Sequence, residues 1–203
     1  MLVMWKSNIT GLTRKDGTSI RTMKIVALGD SITYGYPYSQ EQSWFNMAAK
    51  KLQIAHVNRG VNGDTTTGML RRFERAVAAE NPSHVISMGG TNDVYGAERP
   101  EAIVANIEKL IRLVQQCGAI PIVGIPIPCN DRHEEAMLSL CRDGIKQLAA
   151  RLHLPVIDFH AAMVDTTGIR IKEEYHIDGL HPNEAGYQLM GGIAIEVLSQ
   201  LMR

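Results

Sequence analysis

The sequence predicts a three-layer α/β fold in one main domain, with helices on both faces of a parallel sheet. Five short apolar runs rich in Val and Ile alternate along the chain with amphipathic segments of helical period. That alternation is typical of βαβ units, which build parallel sheets buried on both faces. The chain has 203 residues, 45% of them hydrophobic, so a domain of this size can bury a complete core.

Five strands and five helices are predicted in alternation. The strands fall where β-branched residues are dense, at residues 24–28, 54–58, 84–88, 120–125 and 155–159. The helices fall where apolar residues recur every three or four positions, at residues 43–52, 66–79, 100–117, 134–152 and 183–203. Pro100 suits the first turn of the third helix, and Gly118 ends that helix.

The helical period also predicts which residues face the core. In the third helix they are Ile103, Ile107, Leu110, Ile111 and Val114. In the fourth helix they are Met137, Cys141, Ile145, Leu148 and Leu152. In the last helix they are Leu189, Ile193, Val197 and Leu201.

Residues 1–22 differ in composition from the rest of the chain. They are rich in Ser, Thr and Gly, and Asp16-Gly17 is a turn sequence of β-hairpins. We therefore expect an N-terminal extension over residues 1–22, or a small hairpin, followed by the α/β domain over residues 23–203. No function is assigned to the extension.

The charges and apolar runs give no indication of a nucleic-acid or membrane partner. Lys and Arg together number 21, as do Asp and Glu. The basic cluster of Arg71, Arg72 and Arg75 lies beside Glu74 on a predicted helix, so we interpret it as a solvated helix face. No apolar run approaches the length of about 18 residues that a membrane span needs, and no secretory pattern is present. A cytoplasmic location is expected.

The three cysteines, Cys117, Cys129 and Cys141, are an odd number without a close pair. A disulfide framework is therefore not expected, and their spacing does not resemble that of metal ligands. We expect reduced and mostly buried thiols.

The first predicted strand runs into the heptapeptide GDSITYG, residues 29–35. Ligands bind at the carboxyl edge of an open α/β sheet, which makes Ser31 the best candidate for a reactive residue. By itself this stretch could equally hold a phosphate. Near the other end of the chain, Asp178 and His181 supply an acid and an imidazole three residues apart. A hydroxyl nucleophile needs that pair and a phosphate site does not.

Three strand ends and one loop bring candidate residues to the same edge of the sheet. Ser31 follows the first strand, Gly63 the second and Asn92 the third, and His181 precedes the last helix. An imidazole oriented by Asp178 can take the serine proton. The available donors for a tetrahedral oxyanion are the backbone N–H groups of Ser31 and Gly63 and the side-chain amide of Asn92.

Four blocks together resemble the SGNH hydrolases, also called GDSL esterases and lipases. The blocks are GDSITYG at 29–35, NGD at 62–64, GTND at 90–93 and D-x-x-H at 178–181. The family's Ser, Gly, Asn and His all have matches here, in the family's order, and the resemblance covers residues 23–200.

The resemblance implies a flavodoxin-like, five-stranded parallel sheet of order 2-1-3-4-5. It implies Ser31 as nucleophile and oxyanion donor, Gly63 and Asn92 as further oxyanion donors, His181 as base and Asp178 as its orienting acid. It implies neither a cofactor nor a metal.

The predicted function is a serine esterase that cleaves small carboxylic esters with short acyl chains through an acyl-enzyme on Ser31. One alternative is a carbohydrate O-deacetylase that uses the same residues. Another, from a different class, is a flavodoxin-like module that binds FMN or phosphate at residues 29–33, and the Asp178/His181 pair is the feature against it. A metal site at His176, Asp178 and His181 lacks a further ligand. Assembly into a homo-oligomer is left open.

Overall fold

The core of the protein is a five-stranded parallel sheet. In a computed structural model, Leu12–Thr13, Ser19–Ile20 and residues 23–203 are described. The sheet strands are β3 (Lys24–Gly29), β4 (Ala55–Gly60), β5 (His84–Met88), β6 (Ile120–Ile125) and β7 (Val156–Asp158). They lie in the order β4-β3-β5-β6-β7 with every pair parallel. In chain order this is 2-1-3-4-5, so the predicted topology is confirmed.

Eight α-helices are described, and five of them correspond to the predicted ones. These five are α2 (Trp44–Lys51), α3 (Thr66–Ala76), α5 (Pro100–Gln116), α6 (Arg132–Arg151) and α8 (Glu184–Leu201). The other three are short helices that no periodicity marks: α1 (Ser31–Tyr34), α4 (Thr91–Tyr95) and α7 (Phe159–Met163). Turns of 3₁₀-helix occur at Gln40–Gln42, Ala78–Glu80 and Glu173–Tyr175.

Alternate residues of the central strands enter two separate hydrophobic cores. Ile25 and Ala27 of β3 pack with α2, α7 and α8 on one face of the sheet. Val26 and Leu28 pack with α3, α5 and α6 on the other face. This alternation follows from the two-residue period of a strand, and it confirms the three-layer arrangement.

The buried face of α8 differs from the predicted one by about one position. Its buried residues are Gly186, Tyr187, Met190, Gly191, Ala194 and Leu198. The predicted residues Leu189, Ile193, Val197 and Leu201 are only partly buried at the margin of the core. The helix is apolar around most of its circumference, so periodicity alone cannot select the stripe that packs against α2. Leu152, predicted to face the core from α6, is likewise exposed after that helix ends.

Two short strands precede the sheet in the sequence, β1 (Leu12–Thr13) and β2 (Ser19–Ile20), and they pair antiparallel with each other. The predicted turn at Asp16-Gly17 lies outside the described residues, and the division of the chain at residue 22 stays a prediction. Within the part of the chain that the structure describes, no helix is both long and apolar enough to cross a bilayer.

Candidate active site

Ser31 lies at a sharp turn between β3 and α1. Asp30 caps α1, and its Oδ1 accepts the backbone N–H of Ile32 at 2.9 Å. Gly35 ends the helix in the left-handed region and donates its N–H to the carbonyl of Ser31 at 2.9 Å. At Gly29 a Cβ atom would lie 2.7 Å from the carbonyl oxygen of Met88. Because only glycine fits there, β3 can approach β5 closely and deliver Ser31 at the carboxyl edge of the sheet.

His181 and Asp178 reach Ser31 from the loop before α8. Nε2 of His181 lies 3.2 Å from Oγ of Ser31, and Nδ1 lies 2.7 Å from Oδ2 of Asp178. A carboxylate only accepts hydrogen bonds, so Nδ1 carries the proton and the lone pair of Nε2 faces the serine hydroxyl. This is the geometry that a general base requires.

The Asp178 carboxylate is held in its ionised form. Its Oδ1 accepts the backbone N–H groups of Leu180 at 3.0 Å and His181 at 2.7 Å. Partial burial raises the pKa of Asp178, but the hydrogen bonds from His181 and Leu180 outweigh burial and leave that pKa below its ordinary value. An anion therefore faces Nδ1 at neutral pH.

The loop that carries Asp178 is fixed by its neighbours. Asn130 donates its backbone N–H to the carbonyl of Gly179 at 2.8 Å, and Gly179 donates to Nδ1 of His176 at 2.8 Å. The Tyr36 ring lies with its centroid 4.7 Å from the imidazole centroid of His181, in an edge arrangement. These contacts restrict the imidazole to one orientation. Sequence reasoning missed Asn130 as a contact of this loop, because no local pattern links residues so far apart.

A buried ion pair shapes the loop between β6 and α6, which includes Asn130. Glu135 and Arg142 of α6 pair with each other inside the protein. Oε2 of Glu135 also accepts the backbone N–H of Cys129 at 2.9 Å, and Arg142 reaches the carbonyl of Ile127 at 3.4 Å. Because the pair bonds the loop backbone directly, it holds this loop in one conformation.

Two of the three predicted oxyanion donors, Gly63 and Asn92, follow the strands on either side of β3. Gly63 follows β4 in the left-handed conformation, with φ at 75°. Asn92 lies in the first turn of α4, after β5, and donates from Nδ2 to the carbonyl of Asp64 at 2.9 Å. An amide nitrogen carries two hydrogens, so one remains for another acceptor. The structure thus joins Asn92 to the loop of Gly63, and β4 and β5 flank the strand that delivers Ser31.

Asp93, the residue after Asn92, braces α4 against α3. Its Oδ1 accepts the Thr66 hydroxyl at 2.5 Å, and its two oxygens lie 3.0 and 2.9 Å from the Thr66 backbone nitrogen. Burial raises the pKa of Asp93, although the bonds from Thr66 act in the opposite direction. Asn106 of α5 donates to the same hydroxyl at 3.0 Å. Asp93 therefore ties three helices together behind the site.

For Arg72, the interpretation of the basic cluster as a solvated helix face is wrong. The Arg72 side chain is only 10% exposed, and its Nε lies 2.6 Å from Oδ2 of Asp64. Its Nη2 donates to the carbonyl of Gly29 at 2.9 Å. Arg71 and Arg75 are exposed, as expected. The sequence pattern of the helix places all three arginines on its polar face. Only the three-dimensional structure shows that Arg72 is buried and that the other two are exposed.

The buried thiols of Cys129 and Cys141 offer no second nucleophile. No disulfide joins Cys117, Cys129 and Cys141. Burial raises the pKa of Cys129 to about 11 and that of Cys141 to about 12. Thiols with such pKa values are protonated at neutral pH and unreactive.

Burial also raises the pKa of Asp30, from 3.8 to about 6, which predicts a pH-dependent cost to stability. The native state binds this proton more tightly than the unfolded chain, so its stability falls as pH rises from about 4 to about 7. For wild type the loss amounts to about 3 kcal/mol. Asn at this position is neutral throughout and keeps an oxygen for the N–H of Ile32. The unfolding free energy of wild type should therefore fall between about pH 4 and 7, while that of Asp30→Asn lacks this contribution. We expect the difference between the variant and wild type to grow in favour of the variant by about 3 kcal/mol.

Urea unfolding at about pH 4, 5.5 and 7.5 measures this difference. Asp143→Asn, at an exposed carboxyl group on α6, is the matched control and should track wild type. A difference between Asp30→Asn and wild type that stays constant with pH would contradict the assignment.

A serine hydroxyl, an imidazole and a carboxylate in one hydrogen-bonded row, on a flavodoxin-like sheet, define a class of serine-dependent hydrolases. The family comparison agrees, because the model of the GDSL-like Lipase/Acylhydrolase family matches residues 27–189. The chain belongs to this family. The predicted family and the predicted enzyme class, a hydrolase acting on carboxylic esters, are confirmed.

Individual relatives extend the similarity over most of the chain. An arylesterase of Vibrio mimicus is 28% identical over 186 residues, which cover 88% of this chain and 90% of that protein. The structure of a member of the lipolytic protein G-D-S-L family from Veillonella parvula superposes with a TM-score of 0.80 at 26% identity, covering 88% of this chain and 100% of that one. An acetyl-xylooligosaccharide esterase variant from Geobacillus shares the fold, with a TM-score of 0.75 at 21% identity over 87% of this chain and 94% of that one.

Proposed function

We propose that the protein hydrolyses small carboxylic esters with short acyl chains by transferring the acyl group to Ser31. The hydrogen-bonded row from Ser31 Oγ through His181 to Asp178 carries this proposal, with contacts of 3.2 and 2.7 Å. Membership of an acylhydrolase family favours it over a flavodoxin-like binding module.

The proposed reaction has two acyl-transfer steps. In the first, His181 Nε2 takes the proton of Ser31 as Oγ attacks the ester carbonyl carbon, and Asp178 stabilises the imidazolium. The oxyanion accepts hydrogen bonds from Ser31 N, Gly63 N and Asn92 Nδ2. The alcohol leaves with the proton from His181. In the second step, His181 deprotonates a water molecule, which hydrolyses the acyl-enzyme and restores the serine.

Exposed apolar side chains next to the site residues support a short acyl or aryl group. Tyr36, Val61, Tyr95 and Ile177 are between 41 and 48% exposed. Each lies within a few positions of a site residue or, for Tyr36, against the His181 ring. The Tyr95 hydroxyl donates to Asp131 at 2.6 Å, which fixes that ring. Exposed side chains of this kind can contact a few carbons of a substrate but do not enclose a long chain.

A panel of p-nitrophenyl esters tests the proposal. We expect kcat/KM for the octanoate to be no higher than that for the acetate and butyrate, because each extra methylene gains little without burial. Ser31→Ala protein serves as the blank for hydrolysis that does not depend on the serine. A preference for octanoate would overturn the short-chain assignment.

Acetylated xylooligosaccharides in the same assay test the O-deacetylase alternative. We expect them to be poorer substrates than p-nitrophenyl acetate, and a clear preference for them would replace the proposal with that alternative. The cytoplasmic location and assembly into a homo-oligomer stay predictions.

A further inference from the structure

Arg72 connects the two backbone segments that carry Ser31 and Gly63, whose N–H groups are proposed oxyanion donors. It projects from α3 and lies under the carboxyl edge of the sheet. One arm of its guanidinium binds Asp64, the residue after Gly63, and the other binds the Gly29 carbonyl, two residues before Ser31. Both side chains of the ion pair are about nine-tenths buried, at 10 and 11% exposure.

The Gly29 carbonyl is a junction between the nucleophile and the Gly63 loop. It accepts Nη2 of Arg72 at 2.9 Å and the backbone N–H of Val61 at 3.0 Å. Val61 begins the loop after β4, and its carbonyl in turn accepts the N–H of Asp64 at 3.1 Å. The segment that includes Gly63 is therefore anchored at both ends, and Arg72 contacts both anchors.

Asp64 also holds the side chain of Asn92, the third proposed oxyanion donor. Its carbonyl accepts Nδ2 of Asn92 at 2.9 Å, while its carboxylate binds Arg72 and the N–H of Thr65. Gly68 of α3 leaves the space for that carboxylate, because a Cβ atom there would overlap Oδ1 of Asp64. The carboxylate and the carbonyl that holds the Asn92 amide belong to the same residue, so the ion pair with Arg72 also restrains that carbonyl.

On the basis of the function proposed above, we propose that Arg72 is a positioning residue for the oxyanion hole. It acts through Asp64 and the Gly29 carbonyl, and it touches neither substrate nor reacting atoms. The guanidinium suits this task because its planar fork donates in two fixed directions at once. A lysine ammonium can pair with Asp64 but cannot hold the carbonyl in the same geometry.

The effect should appear in kcat rather than in KM. The oxyanion forms only as the transition state develops, so a misplaced donor weakens binding of the transition state and not of the ester. Loss of a whole donor costs about 10²–10³-fold, and loosening the donors without removing any should cost somewhat less. We expect kcat of Arg72→Met on p-nitrophenyl acetate to fall about 30–100-fold with KM within about twofold.

Arg72→Lys and Asp64→Asn give graded tests that keep most of the local volume. We expect both to lose kcat by about tenfold, again without a rise in KM. Affinity for a small boronic acid, whose serine adduct is tetrahedral, should weaken in step with kcat in all three variants. Arg75→Met, one turn below on α3 and exposed, is the matched control and should behave as wild type.

The outcomes separate this proposal from the proposed function. If wild type and Arg75→Met hydrolyse the esters and the Arg72 variants lose kcat and boronate affinity together, the positioning role stands. If the Arg72 and Asp64 variants keep kcat within about twofold, or lose rate through KM alone, the role is overturned while the esterase remains. If wild type hydrolyses no ester, the proposed function itself fails. Asp64→Asn keeps the test decisive if Arg72→Met does not fold, since removing Arg72 leaves a buried carboxylate unpaired.

Discussion

Replacing Ser31 by alanine should reduce kcat for ester hydrolysis by about 10⁴-fold or more. The substitution removes the atom that lies 3.2 Å from Nε2 of His181 and leaves the imidazole with no alcohol to activate. The thiols of Cys129 and Cys141 cannot replace it, because burial keeps them protonated. The remaining rate should come from water activated by His181 beside the oxyanion donors. Release of p-nitrophenol under single-turnover conditions measures the loss.

Ser199→Ala is the matched control for this substitution. Ser199 lies on α8, where its hydroxyl donates to the carbonyl of Glu196 at 2.9 Å, and its loss should leave the rate unchanged. A phosphonate ester that titrates reactive serines should label wild type once and Ser31→Ala not at all. If Ser31→Ala keeps a rate within about tenfold of wild type, or is still labelled, the nucleophile lies elsewhere.

The fold is predictable from the sequence because most of its elements carry strong local patterns. The central strands β3, β5 and β6 are buried along most of their length and so appear as apolar runs rich in Val and Ile, while α3, α5 and α6 have polar outer faces. Helix α8 lacks that contrast, which explains why the prediction selects Leu189 where the structure buries Met190. The short helices α1, α4 and α7 span less than two turns, too few residues for a period to appear.

The candidate site is predictable for those residues whose reactive side chains lie at a strand end or close to one another in the sequence. Ser31 follows a strand end, and Asp178 lies three residues before His181, so both leave a local trace. Arg72 leaves none, because its two acceptors lie 8 and 43 positions earlier in the chain. One of those acceptors is a backbone carbonyl, which has no sequence signature. Supporting contacts of this kind appear only once the strands and helices are placed.

Asp178→Asn should be nearly as damaging as loss of the serine, although it changes one atom. In wild type, Oδ1 of Asp178 accepts two backbone N–H groups at 3.0 and 2.7 Å. The single oxygen of an asparagine will occupy that position, because an NH₂ group there would face two donors. The NH₂ group then faces Nδ1 of His181, which becomes an acceptor. The proton moves to Nε2, and the imidazole can no longer take the proton of Ser31.

The wrong tautomer should lower kcat by about 10³–10⁴-fold, with KM little changed, because the ester does not contact Asp178 in the proposed mechanism. Nitrogen NMR of labelled histidine identifies the protonated ring nitrogen directly, and we expect the proton on Nδ1 in wild type and on Nε2 in the variant. Asp165→Asn is the control, since Asp165 also accepts turn N–H groups, including that of Thr167 at 3.1 Å, but no imidazole. A variant with the Nε2–H tautomer and near-normal kcat would exclude His181 as the base. An Asp178→Asn variant that keeps the proton on Nδ1 and still loses the rate would give a different result. It would show that Asp178 acts through its negative charge, by stabilising the imidazolium, and not by fixing the tautomer of His181.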